Sequence, residues 1–532
     1  MEKARNIFGK IVFGFIVWLS VLFAGFLFAS ALLWDAYSLN MDTQEVLYRR
    51  DGQLWTLYVL AAVAVLTIVC MLIRKKAGDK LLPWHLAFTL VWIMGFSGLV
   101  IYFSRTMPAA DAMSVYVMSE GIAAGDLSFV NPTTSYLAYY PHQIGLAVFF
   151  APFVYLFNLF KTGVPAYFFI ELINVFFACI GVVFQYKSID YIAPRSASVV
   201  KHIYLIIIGT FLPFIAYTSF VYGEIPSVMF MSMALYFALK LKNRMSEGSD
   251  RLAGTAVLLC ISAVAAVMVR KNSLIFIIAL AAVLLVEFIC RRRAVIIVTL
   301  LITVICSVFG QKLILGVFEN AAGVKIPSGV TPLSYIAMSM KSDSRAKGWY
   351  DGFNYNTYQD TGLDRQATDA IMKQVISERM GYFKAHPDEM LSFYKEKYLS
   401  QWVDGTYASR QAILATLSRK EWAWQFFNGR EAVFYIDICN GFQTLMYAGF
   451  LLFALMGVGE IKRDGGNLFK FIGMIALFGV FLFHILWEAN SRYSFPMVAT
   501  AVSLSAAGWG MAIDSAYRKL TKKKITEAAN EE

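Results

Sequence analysis

Long apolar stretches dominate the chain, and short polar or charged segments separate them. They lie at roughly 11–33, 54–73, 82–103, 143–160, 164–186, 202–222, 225–241, 252–269, 273–290, 294–310, 441–458, 468–487 and 495–513. Most approach the ~20 residues that an α-helix needs to cross ~30 Å of hydrocarbon. In lipid every backbone donor must be paired inside its own segment, so the stretches predict helices. The fold class is an all-α polytopic membrane protein with about 12–13 transmembrane helices. The first stretch follows Lys3, Arg5 and Lys10, is long and lacks a small-residue cleavage site, so it reads as a retained helix and not a signal peptide.

Composition agrees with the pattern. Of 532 residues 58% are hydrophobic, 16% aromatic and 16% charged, against about 25% charged in soluble domains. A soluble enzyme, a coiled coil, a disordered chain and a secreted disulfide scaffold are excluded. The net charge of +11 resides mainly in short loops and the tail: Arg74-Lys75-Lys76, Lys240 to Arg251, Arg291-Arg292-Arg293, Lys462-Arg463 and Arg518 to Lys524. That distribution is the mark of cytoplasmic loops and not of nucleic-acid binding. It makes 34–53, 104–142, 311–440 and 488–494 external, where the three short loops hold only Arg49, Arg50, Arg105 and Arg492.

One conflict of parity follows. The 104–142 loop and the Tyr222-Gly223-Glu224 turn both read as external, yet three apolar stretches separate them. Either 143–160 or 164–186 must fail to cross. The first is shorter and follows the polar Tyr140-Pro141-His142-Gln143, so it is expected to be shallow or re-entrant. Five of six cysteines fall in apolar segments and Cys439 near a helix end; no spacing resembles a disulfide pair or a metal site.

Four regions emerge. Residues 1–81 hold extra N-terminal helices and a cytoplasmic loop. Residues 82–310 form a transmembrane core whose first external loop, 104–142, is the expected catalytic loop. Residues 311–440 form a mostly helical external domain, and 441–532 supply closing helices and a basic tail. In the external domain 364–385 and 387–402 read as amphipathic helices, with Ile371, Val375, Met380 and Phe383 near one face.

Candidate chemistry sits at the external helix ends. Asp111 follows a membrane helix, where partial desolvation can raise a carboxylate's proton affinity; it is also well placed to cap the helix beginning at Ala112. Arg270-Lys271 closes another helix. Snorkelling would explain both, but the bias of basic residues to the inside disfavours such a pair outside unless an anion compensates. Arg492-Tyr493 stands beside Glu488 and His484, and Glu488 can neutralise Arg492 or contact ligand. His142 and Tyr140 sit where they would orient an acceptor or the Asp111 loop. Trp349, Tyr350 and Trp402 suit either sugar stacking or packing of the external domain.

These residues carry a resemblance. Asp111 after a membrane helix, the Gly125-Asp126 turn, Tyr140-Pro141-His142-Gln143, Tyr222-Gly223-Glu224-Ile225-Pro226, Arg270-Lys271-Asn272, Gly348-Trp349-Tyr350-Asp351-Gly352-Phe353-Asn354 and Glu488-Ala489-Asn490-Ser491-Arg492-Tyr493 occur in order over residues 82–513. The chain resembles the GT-C superfamily of polyprenyl-phosphate-sugar glycosyltransferases, close to bacterial protein O-mannosyltransferases and aminoarabinose transferases. The resemblance implies inverting transfer of one sugar from a polyprenyl-phosphate donor to an external cell-wall glycan, teichoic acid, lipid or protein. It places the enzyme in the plasma membrane of a bacterium with its active site outside, matches Asp111 to the general base, and matches Glu224 to a second acid where Asp is common. It assigns Arg270, Lys271, Arg492, Tyr493, His142, Tyr140 and Glu488 to phosphate or substrate contact. No metal site is read, although Asp111 and Glu224 could share a divalent cation. A flippase of lipid-linked sugars and a glycan polymerase are the rival classes; no internal repeat of the transporter kind is evident.

Overall fold

The computed structural model describes residues 2–38, 46–49, 54–103, 108–341, 346–416, 421–461 and 466–531. Side chains are described for all of these except 2, 74–77, 415–416, 421–423 and 520–531. Arg50, Arg105, Thr106, Met107 and Lys462-Arg463 therefore lie outside the description, as do the side chains of Arg74 to Lys76 and of Lys522 to Lys524.

Each apolar stretch is helical. Among the described residues ten helices are long and apolar enough to cross a membrane: Lys3–Leu33, Leu54–Ile73, Gly78–Phe103, Ala166–Ile192, Glu224–Ser246, Lys271–Arg291, Ala294–Ala322, Ala432–Ile461, Leu468–Leu486 and Ser491–Lys519. Ala197–Thr210 and Leu212–Ser219 form a further apolar pair, bent by 58° between them, which makes eleven if it counts as one span. Ala253–Val269, with 17 residues, sits at the lower limit for crossing.

The thirteenth stretch behaves differently. Its helix, Ile144–Asn158, has 15 residues with Pro152 inside, about 22 Å in length and short of ~30 Å of hydrocarbon. At its start the Gln143 amide donates to the Tyr222 hydroxyl. At its end Phe157 stacks on Phe169, with centroids 5.0 Å apart, close in the chain to Tyr167, whose hydroxyl accepts from the Val221 N–H. Both ends thus meet the same end of the bundle. The 220–223 turn, Arg270 and the 487–490 loop share that end, since Glu224 holds both Arg270 and Arg492.

That end carries the polar segment, with shifted limits. The Ala294–Ala322 helix runs past residue 310, and the Ala432–Ile461 helix begins before 441. Between them stand Pro332–Met338, Phe353–Asp360, Arg365–Ala385, Pro387–Trp402, Ser409–Thr416 and Glu421–Asn428. The two amphipathic helices fall where the spacing puts them, but the buried face differs. Ile371 and Met380 are exposed, whereas Thr368, Met372 and Phe383 are buried. Phe383 packs with Met340 and Phe393, so the partner helices choose the face. Trp402 is 1% exposed and meets Phe23 of the first span edge-on at 6.0 Å; it is a packing residue. A two-stranded antiparallel hairpin, Asp35–Ser38 with Val46–Arg49, adds the sheet that an all-helical reading omits.

Candidate functional site

The site is assembled from six separate segments. Glu224 opens the Glu224–Ser246 helix and is fully buried. Its Oε1 accepts from Arg270 Nη1 at 2.8 Å and from Arg492 Nε at 2.5 Å. One carboxylate thus holds two guanidinium groups from helices distant in sequence, leaving the trio a net positive charge. Oε2 of Glu224 and Nε of Arg270 are buried without a hydrogen-bond partner. Gly223 makes the arrangement possible: a Cβ there would lie 2.5 Å from the Val269 carbonyl oxygen and 3.1 Å from Arg270 Cβ. Only glycine lets the two chain segments approach this closely.

Arg492 also stands over the rings of Phe220 and Tyr222, 4.8 and 5.0 Å from their centroids, within cation–π range. Its pairing with Glu224 corrects the expected Glu488 partnership. Glu488 is 7% exposed and accepts instead from the Tyr493 hydroxyl. Burial, reinforced by the charge of Asp111 and opposed by the Tyr493 bond, pushes the Glu488 carboxyl up to about 7.

Asp111 is the first residue of the Asp111–Ala124 helix and is exposed. The expected capping role is absent: Ala110 occupies the cap position, and no side chain bonds the helix start. Ala110 has φ 49°, a region that residues with a Cβ enter at a cost of about 1–3 kcal/mol and mainly at functional sites. The charge of Asp111 acts on a group of tyrosines. Burial first, with Asp111 among the further causes, holds the hydroxyls of Tyr136, Tyr140, Tyr222 and Tyr335 protonated well above the usual range.

The remaining candidates line the same end. His142 precedes the shallow helix; burial and the neighbouring Lys271 charge push its imidazole down to about 3, so it is neutral at physiological pH. Lys271 is exposed. Gly329, at φ 79°, approaches within 2.6 Å, measured from an added Cβ, of the Tyr139 carbonyl, and Val330 N–H donates to that carbonyl at 3.0 Å. This bond ties the polar segment to the Tyr136–Tyr140 loop.

Sequence reasoning missed Lys397. It is 2% exposed and donates to the carbonyls of Ser339 at 3.2 Å and Ile485 at 3.1 Å. Burial pushes its ammonium down to about 7, with Glu488 opposing. A single lysine in a polar helix gives no signal of this in one dimension. With Ala489 N–H donating to the Gly348 carbonyl at 2.9 Å, it seats the polar segment on the bundle. Beside it opens a cleft of 420 Å³, lined largely by apolar side chains including Phe26, Leu33, Leu391, Tyr398 and Phe481.

A divalent cation shared by Asp111 and Glu224 does not fit this geometry. The Glu224 carboxylate is already engaged by two guanidinium groups, which would repel a metal ion.

No protein-family model and no curated protein matches the chain. Among solved structures its neighbours include archaeal oligosaccharyltransferases. AglB from Archaeoglobus fulgidus, in complex with an inhibitory peptide and a dolichol-phosphate, aligns with 85% of this chain and 52% of its own at 16% identity and a TM-score of 0.43. An A. fulgidus oligosaccharyltransferase tethered to an acceptor peptide aligns with 84% of this chain and 51% of its own at 15% identity and a TM-score of 0.44. The chain spans about half the length of these structures.

Proposed function

We propose that the chain is an inverting membrane glycosyltransferase that moves a sugar from a polyprenyl-phosphate carrier to an external acceptor. The observation that carries the reading is the buried Glu224 carboxylate holding Arg270 and Arg492 at one end of the bundle, with Arg492 over the Tyr222 ring and the charge of exposed Asp111 acting on that tyrosine's hydroxyl. Such chemistry requires a proton acceptor next to an anion-stabilising group.

The acceptor hydroxyl attacks the anomeric carbon as its proton passes to the Asp111 carboxylate. The new carbon–oxygen bond forms while the bond to the lipid phosphate breaks, and the electron pair leaves on the phosphate oxygen. Arg270, Arg492 and exposed Lys271 offset that charge; guanidinium groups suit bidentate phosphate contact. In this scheme Glu224 is a positioning residue, because an acid between two guanidinium groups is a poor base. Glu488 and Tyr493 contact substrate, and neutral His142 with Tyr140 orients the acceptor. The apolar cleft near Lys397 suits a polyprenyl chain. Residues 82–310 and the closing helices form the catalytic core, the polar segment covers it, and the bias of basic loops places the site outside.

The test is mass spectrometry of lipid-linked sugars retained by the purified chain, followed by transfer from the lipid found. Recovery of a polyprenyl monophosphate sugar, consumed on adding acceptor, is expected. A retained lipid that is exported but never cleaved would overturn the proposal in favour of a flippase.

A further inference from the structure

At the opposite end of the bundle three potential ligands converge from three helices. Cys70 lies near the end of Leu54–Ala77, His85 near the start of Leu81–Phe103, and His202 in Ala197–Thr210. The Leu81–Phe103 helix leads from His85 toward the Asp111 loop, and the bent span leads from His202 toward Tyr222, so the cluster is remote from the candidate active site. Cys70 Sγ is 3.2 Å from His202 Nδ1 and 3.7 Å from His85 Nδ1; the two nitrogens are 2.9 Å apart. The imidazole rings stack, with centroids 5.2 Å apart. All three ligand atoms lie within 4.8 Å of one another.

These separations are those of coordination. With bonds of about 2.0–2.1 Å to nitrogen and about 2.3 Å to sulfur, a tetrahedral zinc ion has ligand–ligand edges of about 3.3–3.6 Å. The observed edges bracket that range. We infer that Cys70, His85 and His202 form a binding site for a borderline-soft transition-metal ion of the Zn²⁺ kind.

The donor set selects the ion. One thiolate and two neutral imidazoles favour zinc over Mg²⁺ or Ca²⁺, which take oxygen ligands. Binding releases the thiol proton. His202 is fully buried, whereas Cys70 and His85 are half-buried. The consequence is mechanical: the ion joins the Leu54–Ala77 and Leu81–Phe103 pair to Ala197–Thr210. That last helix belongs to the core, since a Cβ on Gly510 would lie 2.6 Å from Val200.

The experiment uses the full chain in nanodiscs, with any histidine tag removed and bound metal stripped by chelator. Co²⁺ is added as the spectroscopic probe and Zn²⁺ as competitor. One equivalent of Co²⁺ is expected to bind with a thiolate-to-cobalt charge-transfer band, which Zn²⁺ erases. Cys70→Ser abolishes the band, and Cys70→Ser and His202→Ala each weaken Zn²⁺ by about a hundredfold or more, at or above what loss of an outer-shell partner costs; Cys179→Ser changes neither.

A measurement on the wild-type chain covers variants that fail to fold. Zn²⁺ should slow maleimide labelling of Cys70 about tenfold or more, as expected for a ligated thiolate, and leave half-buried Cys290 unaffected. Absence of the band, its persistence in Cys70→Ser, or unchanged labelling of Cys70 would overturn the inference.

Discussion

Arg492 Nε donates to Glu224 Oε1 at 2.5 Å across 268 residues of sequence. Arg270 completes the same carboxylate from a third helix. Breaking a buried pair by removing one partner typically costs about 3–5 kcal/mol, because the other charge is left without compensation. Glu224→Gln should therefore lower the thermal melt strongly and leave buried Arg270 and half-buried Arg492 in mutual repulsion. A melt within a degree or two of wild type would show that the trio is dispensable for the fold.

Arg270→Ala tests the proposed role of the trio in holding phosphate. Losing one charge-assisted contact costs about 1.5–3 kcal/mol, or roughly ten- to hundredfold in donor affinity. Donor KM should rise by that factor while acceptor KM changes little. Equal effects on both substrates would assign Arg270 to structure alone.

Asp111→Asn isolates the proton-accepting step. Asp111 is exposed and makes no cap bond, so the variant should fold, melt and bind donor like the wild type. Transfer should fall by about 10²–10⁴-fold. Activity within a few-fold of wild type would remove Asp111 from the mechanism.

Glu488 gives the stability a pH dependence of known sign. Its carboxyl is raised in the fold from 4.5 to about 7, so the folded chain keeps a proton that the unfolded chain releases first. Stability from this group falls as pH rises between those values. Glu488→Gln should therefore melt higher than wild type at pH 8 and close to it at pH 4.5. The reverse order would mean that Glu488 is ionised and stabilising in the fold.

Gly223→Ala should be destabilising by about 1–3 kcal/mol, the usual range for overpacking, since the new methyl meets the Val269 carbonyl at 2.5 Å. The displacement falls on Arg270, so donor KM should rise together with the loss in melting temperature. A silent substitution would show that the two helices can part without moving the guanidinium.

The helices were legible because lipid imposes one backbone solution on any long apolar run. The location of Asp111, Glu224, Arg270 and Arg492 at one end was legible from the alternation of basic loops. Partnership was not. Glu488 is the nearer acid to Arg492 in sequence, yet Tyr493 takes it and Glu224 takes the arginine. The face of Arg365–Ala385 differs from the expected one because spacing alone does not say that Met340 and Phe393 wait beside Phe383. Cys70, His85 and His202 give no motif, since the three come from separate helices.

The 15-residue Ile144–Asn158 helix has a practical consequence for reporter fusions. A hydropathy plot that counts it as a full traverse would send a fluorescent or enzymatic tag at Lys519 to the opposite compartment from one at Lys3. A helix that returns to the surface from which it started predicts instead that both tags share a compartment, and that a tag inserted near Gly163 joins one inserted near Gly125. A pair of tags that respond together to a membrane-impermeant quencher would read out this detail of the fold without resolving a single atom.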